Sequence, residues 1–383
     1  MLTETAIQYY LWMLQFGCYT HLIPFSWDEQ KRHLRQNKSK SGMVSFYLHF
    51  VVILVMNVYC AGRLIQSLSK NGSEFPLLIK ILNLIWTGAY TFTSILMMQY
   101  QILGKDMMLF ANSILDQLDW KQHEISARFS SARTSGTSSS AQQPNSGLSK
   151  QLITAMILLT INPLIHALIV PTAPCAPQFL SSVLLPCKSI GDSDHPLYTQ
   201  MPFIIQEYYG ITVKLFTWSF NWSLTFLGLT WILREIKTTR MQGLHRYRNV
   251  EIITTALNSS LKYYLTIFPT ILFTVLSLLL FGCVRLWHLD PRSNLLFPTC
   301  GIRCGFESMS PLALAGRVNQ ESKSLLRKWR KQTSGGKWAA RFKRSCRSIK
   351  CTAGSMYTFE ESILIVSIHN LNQLTLNFLV AFR

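Results

Sequence analysis

Runs of about 20 apolar residues, the length that crosses the hydrocarbon core of a bilayer as an α-helix, recur along this chain of 383 residues. Five are clear, at 43–62, 76–103, 151–171, 203–233 and 264–287. A more polar run lies at 356–380, and a weaker one at 297–316 is interrupted by Arg303 and Glu307. Hydrocarbon offers the backbone no hydrogen-bond partners, so such runs are constrained to be helices. Arg303 and Glu307 stand four apart and can pair on one helix face; 297–316 also reads as a divergent or damaged segment that is not a normal span, and it is taken as the sixth helix of seven because the orientation of the chain requires one there. Composition agrees. Hydrophobic residues make up 49% of the chain and charged residues 14%, against about 25% charged in soluble proteins. The expected fold class is an all-α membrane protein with seven transmembrane helices.

Orientation follows from the 37 Lys and Arg residues, because cytosolic loops are enriched in positive charge. Twenty-seven fall before the first run, after the second, after the fourth and before the last, with twelve between Arg317 and Lys350. Seven fall on the other side, and Lys214, Lys262 and Arg303 lie within runs. This places the N-terminus in the cytosol and, with seven spans, the C-terminus outside. The chain reads as a multi-pass protein of the plasma membrane. The net charge of +19 then reflects loops facing anionic lipid. There is no Cys/His zinc spacing and no aromatic-basic RNA motif, so no metal and no nucleic-acid partner is expected. Asn71, in Asn71-Gly72-Ser73, is a glycosylation acceptor pattern on the outer side.

The segments between the runs differ in character. Residues 1–42 read as a cytosolic N-terminal segment without a cleavable signal. Ile7, Leu11, Leu14 and Cys18 share one face there, as in an amphipathic surface helix. Residues 125–150 are rich in Ser, Thr, Gln and Asn and are expected to be a disordered loop. Residues 317–355 form a basic cytosolic region. Cys175 and Cys187 share one loop, and the sequence leaves their pairing open.

Nothing in the chain reads as an enzyme. It has no H-E-x-x-H, no P-loop and no G-x-S-x-G, and no cofactor is implied. Polar groups within spans are costly and usually face a cavity, a pore or a partner helix. One set, Trp86, Tyr90, His166, Glu207, Tyr208, Tyr209 and Trp218, falls at similar depth in the outer halves of spans two, three and four. Aromatic rings with a few polar handles suit a small-molecule ligand; an interfacial aromatic belt accounts equally for Tyr208 and Tyr209, and helix packing for Trp86 and Trp218. Lys214 can pair with Glu207 two turns earlier. A second set, Val366, Asn370, Gln373, Asn377 and Val380, is spaced alternately four and three apart and makes one stripe on the last helix. Several copies around an axis would line a pore with amide rings and valine gates. Interhelical hydrogen bonds inside a single bundle would use the same stripe. In the basic region, Trp329, Trp338 and Phe342 are candidates for contact with another subunit.

The C-terminal third resembles the insect-type chemoreceptor superfamily, the arthropod odorant and gustatory receptors. The resemblance rests on SPLALAGRVNQESKSLLRKW at 310–329, RFKRSCRSIKCTAGSMYTFEES at 341–362 and the last span. The family pattern there is a small or polar end to the sixth helix, a loop Trp, a basic helix, a Gly and a polar last helix. Ser310, Trp329, Arg341–Lys350, Gly354 and 356–380 match it in turn. Gustatory receptors carry a Thr-Tyr, then five apolar residues, then a Gln-Phe in the last helix. Asn370-Leu371 and Asn377-Phe378 stand at that spacing, with only the Phe retained and an amide in place of an amide. The resemblance implies a homo- or heterotetramer whose last helices line a cation pore, with a ligand pocket in each subunit, and a gustatory rather than odorant role. G-protein-coupled receptors have the opposite topology, and a secondary transporter would show two matching half-repeats.

Overall fold

Each of the seven apolar runs folds as a helix, and most of the helices outgrow their run. The computed structural model describes residues 4–69, 76–134, 146–188, 195–242, 244–285, 293–331 and 337–381. Helix α1 (Glu4–Tyr19) leads into a hairpin of β1 (Phe25–Asp28) and β2 (His33–Gln36), paired antiparallel with Phe25 opposite Gln36. The long helices follow: α2 (Lys40–Ser69), α3 (Leu77–Thr134) and α4 (Ser146–Ile169). A single helical turn, α5 (Ser181–Leu184), precedes α6 (Leu197–Gln242), α7 (Leu244–Ser260) and α8 (Lys262–Arg285). The chain ends with α9 (Ser293–Lys331), α10 (Lys337–Ser345), the pair β3 (Thr352–Ala353) and β4 (Tyr357–Thr358), and α11 (Ile363–Ala381).

Among the described residues, four stretches are long and apolar enough to cross a membrane on length and composition alone: Lys40–Ser69, Leu77–Gln117, Lys262–Arg285 and Ile363–Ala381. Helices α4, α6 and α9 occupy the other three runs. The last two bury polar side chains in the interior, among them Glu207, Lys214, Asn221, Arg303 and Glu307.

Helix α6 is the axis of the bundle. It packs against α3, α4, α7 and α9. From Phe216 to Ile232 its side chains are buried on nearly every face, the pattern of a core helix rather than an amphipathic one. Its polar groups find partners. Asn221 donates to Tyr100 Oη at 2.7 Å and accepts from Gln99 Nε2 at 3.0 Å. Gln99 Oε1 in turn accepts the Tyr264 backbone N–H at 2.8 Å, one of the donors left free in the first turn of α8.

Three segments differ from the sequence expectation. Helix α3 runs on to Thr134 and α4 begins at Ser146, so 125–134 and 146–150 are helical; Glu124, Ala127 and Arg128 are good helix formers, and the Ser/Gly run starts only at Ser135. Residues 135–145 of that stretch lie outside the described residues, as does Asn71. Helix α1 does not lie alone on a surface. Tyr10, Met13, Leu14 and Cys18 are buried, and its contacts reach α4 and α6; Ile7 and Leu11 are only half-buried. The last run starts as β4 and a turn, and α11 begins at Ile363. The β3–β4 turn holds Gly354 at φ +56°, the left-handed region that glycine enters without strain. At Gly316 a side chain would meet the Glu360 carbonyl oxygen at 2.9 Å, so glycine lets α9 approach the segment that leads into α11.

Candidate functional site

The loop after α4 closes one end of the bundle. Cys175 and Cys187 form a disulfide there, which settles the pairing. Tyr59 of α2 donates to the Phe179 carbonyl of the same loop at 2.7 Å. Beneath it lies a cavity walled by α3, α4, α6, α8 and α9. Leu82, Ile85, Ala89, Val275, Leu279 and Phe297 supply apolar walls; Trp86, His166, Lys214, Trp218 and Arg303 supply rings and polar groups. The room it leaves for the centres of water molecules is about 60 Å³. One water needs about 10–15 Å³ on that measure, so the space admits a small organic molecule or several waters.

The polar groups are fixed from behind. Trp86 Nε1 donates to Glu207 Oε1 at 3.2 Å, and its ring lies 5.4 Å from that of His166. His166 Nδ1 is 2.8 Å from the Asn162 carbonyl, which only accepts, so that nitrogen carries the proton. Trp218 Nε1 donates to Thr93 Oγ1 at 2.9 Å, and its ring meets Phe92 edge-on at 5.2 Å. Lys214 Nζ lies 3.6 Å from the centre of the Tyr90 ring and 5.7 Å from that of Trp86. Arg303 donates through Nε to Glu307 Oε1 at 3.0 Å, and through Nη2 to Ser219 Oγ at 3.0 Å and to the Leu215 carbonyl at 3.2 Å.

No protein-family model matches the chain, and no curated protein matches it. Solved structures do. The insect olfactory receptor OR5 from Machilis hrabei in complex with eugenol superposes with a TM-score of 0.60 at 13% identity, over 98% of this chain and 99% of that one. A second structure of OR5 from Machilis hrabei gives 0.57, again at 13% identity, over 97% of each chain. The chain has the insect olfactory receptor fold. The likeness to insect chemoreceptors read from residues 310–380 thus extends over the whole length.

Within this receptor fold, the seven residues expected around a ligand separate into three groups. Trp86, His166 and Trp218 line the cavity. Tyr90 and Glu207 are buried at 0% and 1% exposure and stand behind it, Tyr90 beneath the Lys214 ammonium and Glu207 behind Trp86. The pairing of Lys214 with Glu207 is not made as a hydrogen bond, since Glu207 Oε1 takes the Trp86 N–H and Oε2 has no partner. Tyr208 points outward, 43% exposed, and Tyr209 turns to the ring of His49 on α2. Neither reaches the cavity, because their places on α6 face α2 and the outside. Sequence reasoning missed the contribution of α9, with Phe297, Cys300, Arg303 and Cys304 in the wall. The Arg303–Glu307 spacing was the available signal.

On α11, Val366, Asn370, Gln373, Asn377 and Val380 are all exposed, while Ser367 and Leu371 face inward. The three amides make no hydrogen bond with the described residues. In the basic region Trp329 is buried, packed edge-on against Tyr247 at 5.4 Å, and so is not offered to a neighbouring subunit. Trp338 is exposed and stacks on Phe342 at 5.5 Å. Tyr247 ties this region together: its hydroxyl meets Ser322 Oγ at 2.9 Å and donates to the Arg347 carbonyl at 2.6 Å. Burial pushes its phenol up to about 12.

Proposed function

We propose that the chain is a subunit of a tetrameric cation channel of the plasma membrane, opened by small-molecule tastants or odorants. The observation that carries the reading is the outward stripe of α11. A lipid-facing amide loses its hydrogen bonds, which costs several kcal/mol by transfer from water to hydrocarbon. Three amides in a row on the outer face of an apolar helix therefore call for other copies of that helix across a water-filled axis, with Val366 and Val380 as apolar constrictions. The cavity sits at the opposite functional pole. It lies near the start of α9, and about 27 residues separate Cys304 from the basic end of that helix, roughly 40 Å at 1.5 Å per residue. With the basic residues in the cytosol, the cavity lies toward the outer leaflet, the N-terminus inside and the C-terminus outside. A ligand that fits the cavity better in the open arrangement shifts the population toward it. The Machilis hrabei receptor that shares the fold was solved in complex with a small molecule, eugenol, and the gustatory spacing of Asn370 and Asn377 favours tastants.

The test is ionic current through the expressed chain. Gln373→Ser and Asn377→Ser, which widen the axis without changing charge, are expected to change single-channel conductance or cation selectivity while leaving surface expression intact. Conductance indifferent to both substitutions would remove α11 from the pore.

A further inference from the structure

Lys214 is placed as a recognition group rather than as a structural one. It is 3% exposed and lines the cavity. Its ammonium has three donors, yet no described residue accepts a hydrogen bond from it; its neighbours are the ring faces of Tyr90 and Trp86. Ring faces attract a cation but do not replace hydrogen bonds lost on burial. Other buried groups around it are also unfilled: Arg303 Nη1 and Asn162 Oδ1, which line the cavity, and Tyr90 Oη and Glu207 Oε2 behind it, the last of which makes no hydrogen bond to Lys214.

The charges around the cavity decide what fills that vacancy in bonding. Lys214 and Arg303 are balanced by Glu207 and Glu307, and Arg303 is already paired with Glu307 at 3.0 Å. A carboxylate ligand would add one uncompensated negative charge to a low-dielectric interior, which is costly. An amine ligand would meet Lys214 as a like charge. A hydrocarbon would fill the apolar walls and leave Lys214 without an acceptor. A neutral molecule with a carbonyl oxygen leaves the charge balance at zero and supplies that acceptor. We infer that the cavity selects small neutral carbonyl compounds, aldehydes, ketones or esters on an apolar body, and that Lys214 donates to the carbonyl oxygen. The inference rests on the cavity being the ligand site, and it specifies the chemical class.

Binding is best read without current, on the purified full-length chain in lipid nanodiscs. The probe is tritiated acetophenone, displaced by ethylbenzene, benzoate or benzylamine, which share its ring and size. In the wild type, acetophenone is expected to bind at least about tenfold more tightly than ethylbenzene, the scale of one hydrogen bond to a charged donor, and benzoate and benzylamine more weakly than acetophenone. Lys214→Met is expected to bring acetophenone and ethylbenzene level, and Lys214→Gln, which keeps a donor, to recover part of the difference. The pair Lys214→Met with Glu207→Gln keeps the charge balanced and is expected to behave as Lys214→Met does. A ketone preference that survives Lys214→Met, benzoate outranking acetophenone, or no saturable binding of any probe would each overturn the inference. Selective binding with no evoked current would count against the channel reading alone.

Discussion

Helices α9 and α11 both carry polar groups in stretches of membrane-spanning length, and they dispose of them differently. In α9, Arg303 and Glu307 are each 3% exposed. They pair with each other and with Ser219 and the Leu215 carbonyl of α6. Trp222 of α6 adds a bond to Ser310 at 2.9 Å. In α11 the amides of Asn370, Gln373 and Asn377 lie on the exposed face and make no hydrogen bond with the described residues. Only 11% of the apolar stretch of α11 is buried, against 50% for α8 beside it. One helix turns its polarity into the fold; the other carries it to the boundary of the chain. Polarity within a span therefore has two meanings, and burial separates them.

The largest effect that tests this contrast is in α9. Arg303→Met leaves Glu307 buried without its partner, which costs about 3–5 kcal/mol in comparable cases. The expected result is a steep fall in monodisperse protein on gel filtration and in Tm. Arg303→Met with Glu307→Leu removes both charges and is expected to restore most of the loss, because a buried pair replaced by apolar residues is often neutral. A single variant as stable as the wild type would mean that the pair is solvated.

A middle case lies in the basic region, outside the spans. Tyr247→Phe deletes the donor to the Arg347 carbonyl and a partner of Ser322, and is expected to cost about 1 kcal/mol, the usual net worth of a hydrogen bond. It also has a pH signature. The phenol titrates near pH 10 when unfolded and at about 12 in the fold. The fold favours the protonated form, so this stability is whole below pH 10 and is lost as pH rises toward 12. Comparing Tm at pH 9 and pH 11, the wild type is expected to drop further than Tyr247→Phe. Equal drops would show that Tyr247 does not titrate with unfolding.

The sequence carried the positions of the helices well, because a run of 20 apolar residues has few structural alternatives. It also carried the Arg303–Glu307 pair, a matter of local spacing. It did not carry which residues meet across the bundle. Trp329 turns inward to Tyr247, and Tyr208 turns outward, although each sits in a stretch of similar composition. Lys214 drew notice as a charge within a span, but its bonding depends on Tyr90 and Trp86, more than 120 residues away in the chain. The short hairpins at 25–36 and 352–358 have two to four residues per strand, too few for an alternating pattern to register.

The smallest expected change in stability, and the sharpest for the comparison, is on α11. Asn370→Leu, Gln373→Leu and Asn377→Leu remove groups that are exposed and make no hydrogen bond with the described residues, so each is expected to shift the Tm of the monomeric fraction in detergent by an amount corresponding to within about 0.5 kcal/mol. On the proposed pore reading, function is expected to respond in the other direction: rings of leucine would narrow and dry an axis between copies, so current should fall even where folding is unchanged. Stability and current would thus part company on α11, whereas on α9 they fall together. If instead Gln373→Leu lowered stability as far as Arg303→Met, the amide would have a partner inside its own subunit, and the outward stripe would belong to bundle packing rather than to a pore.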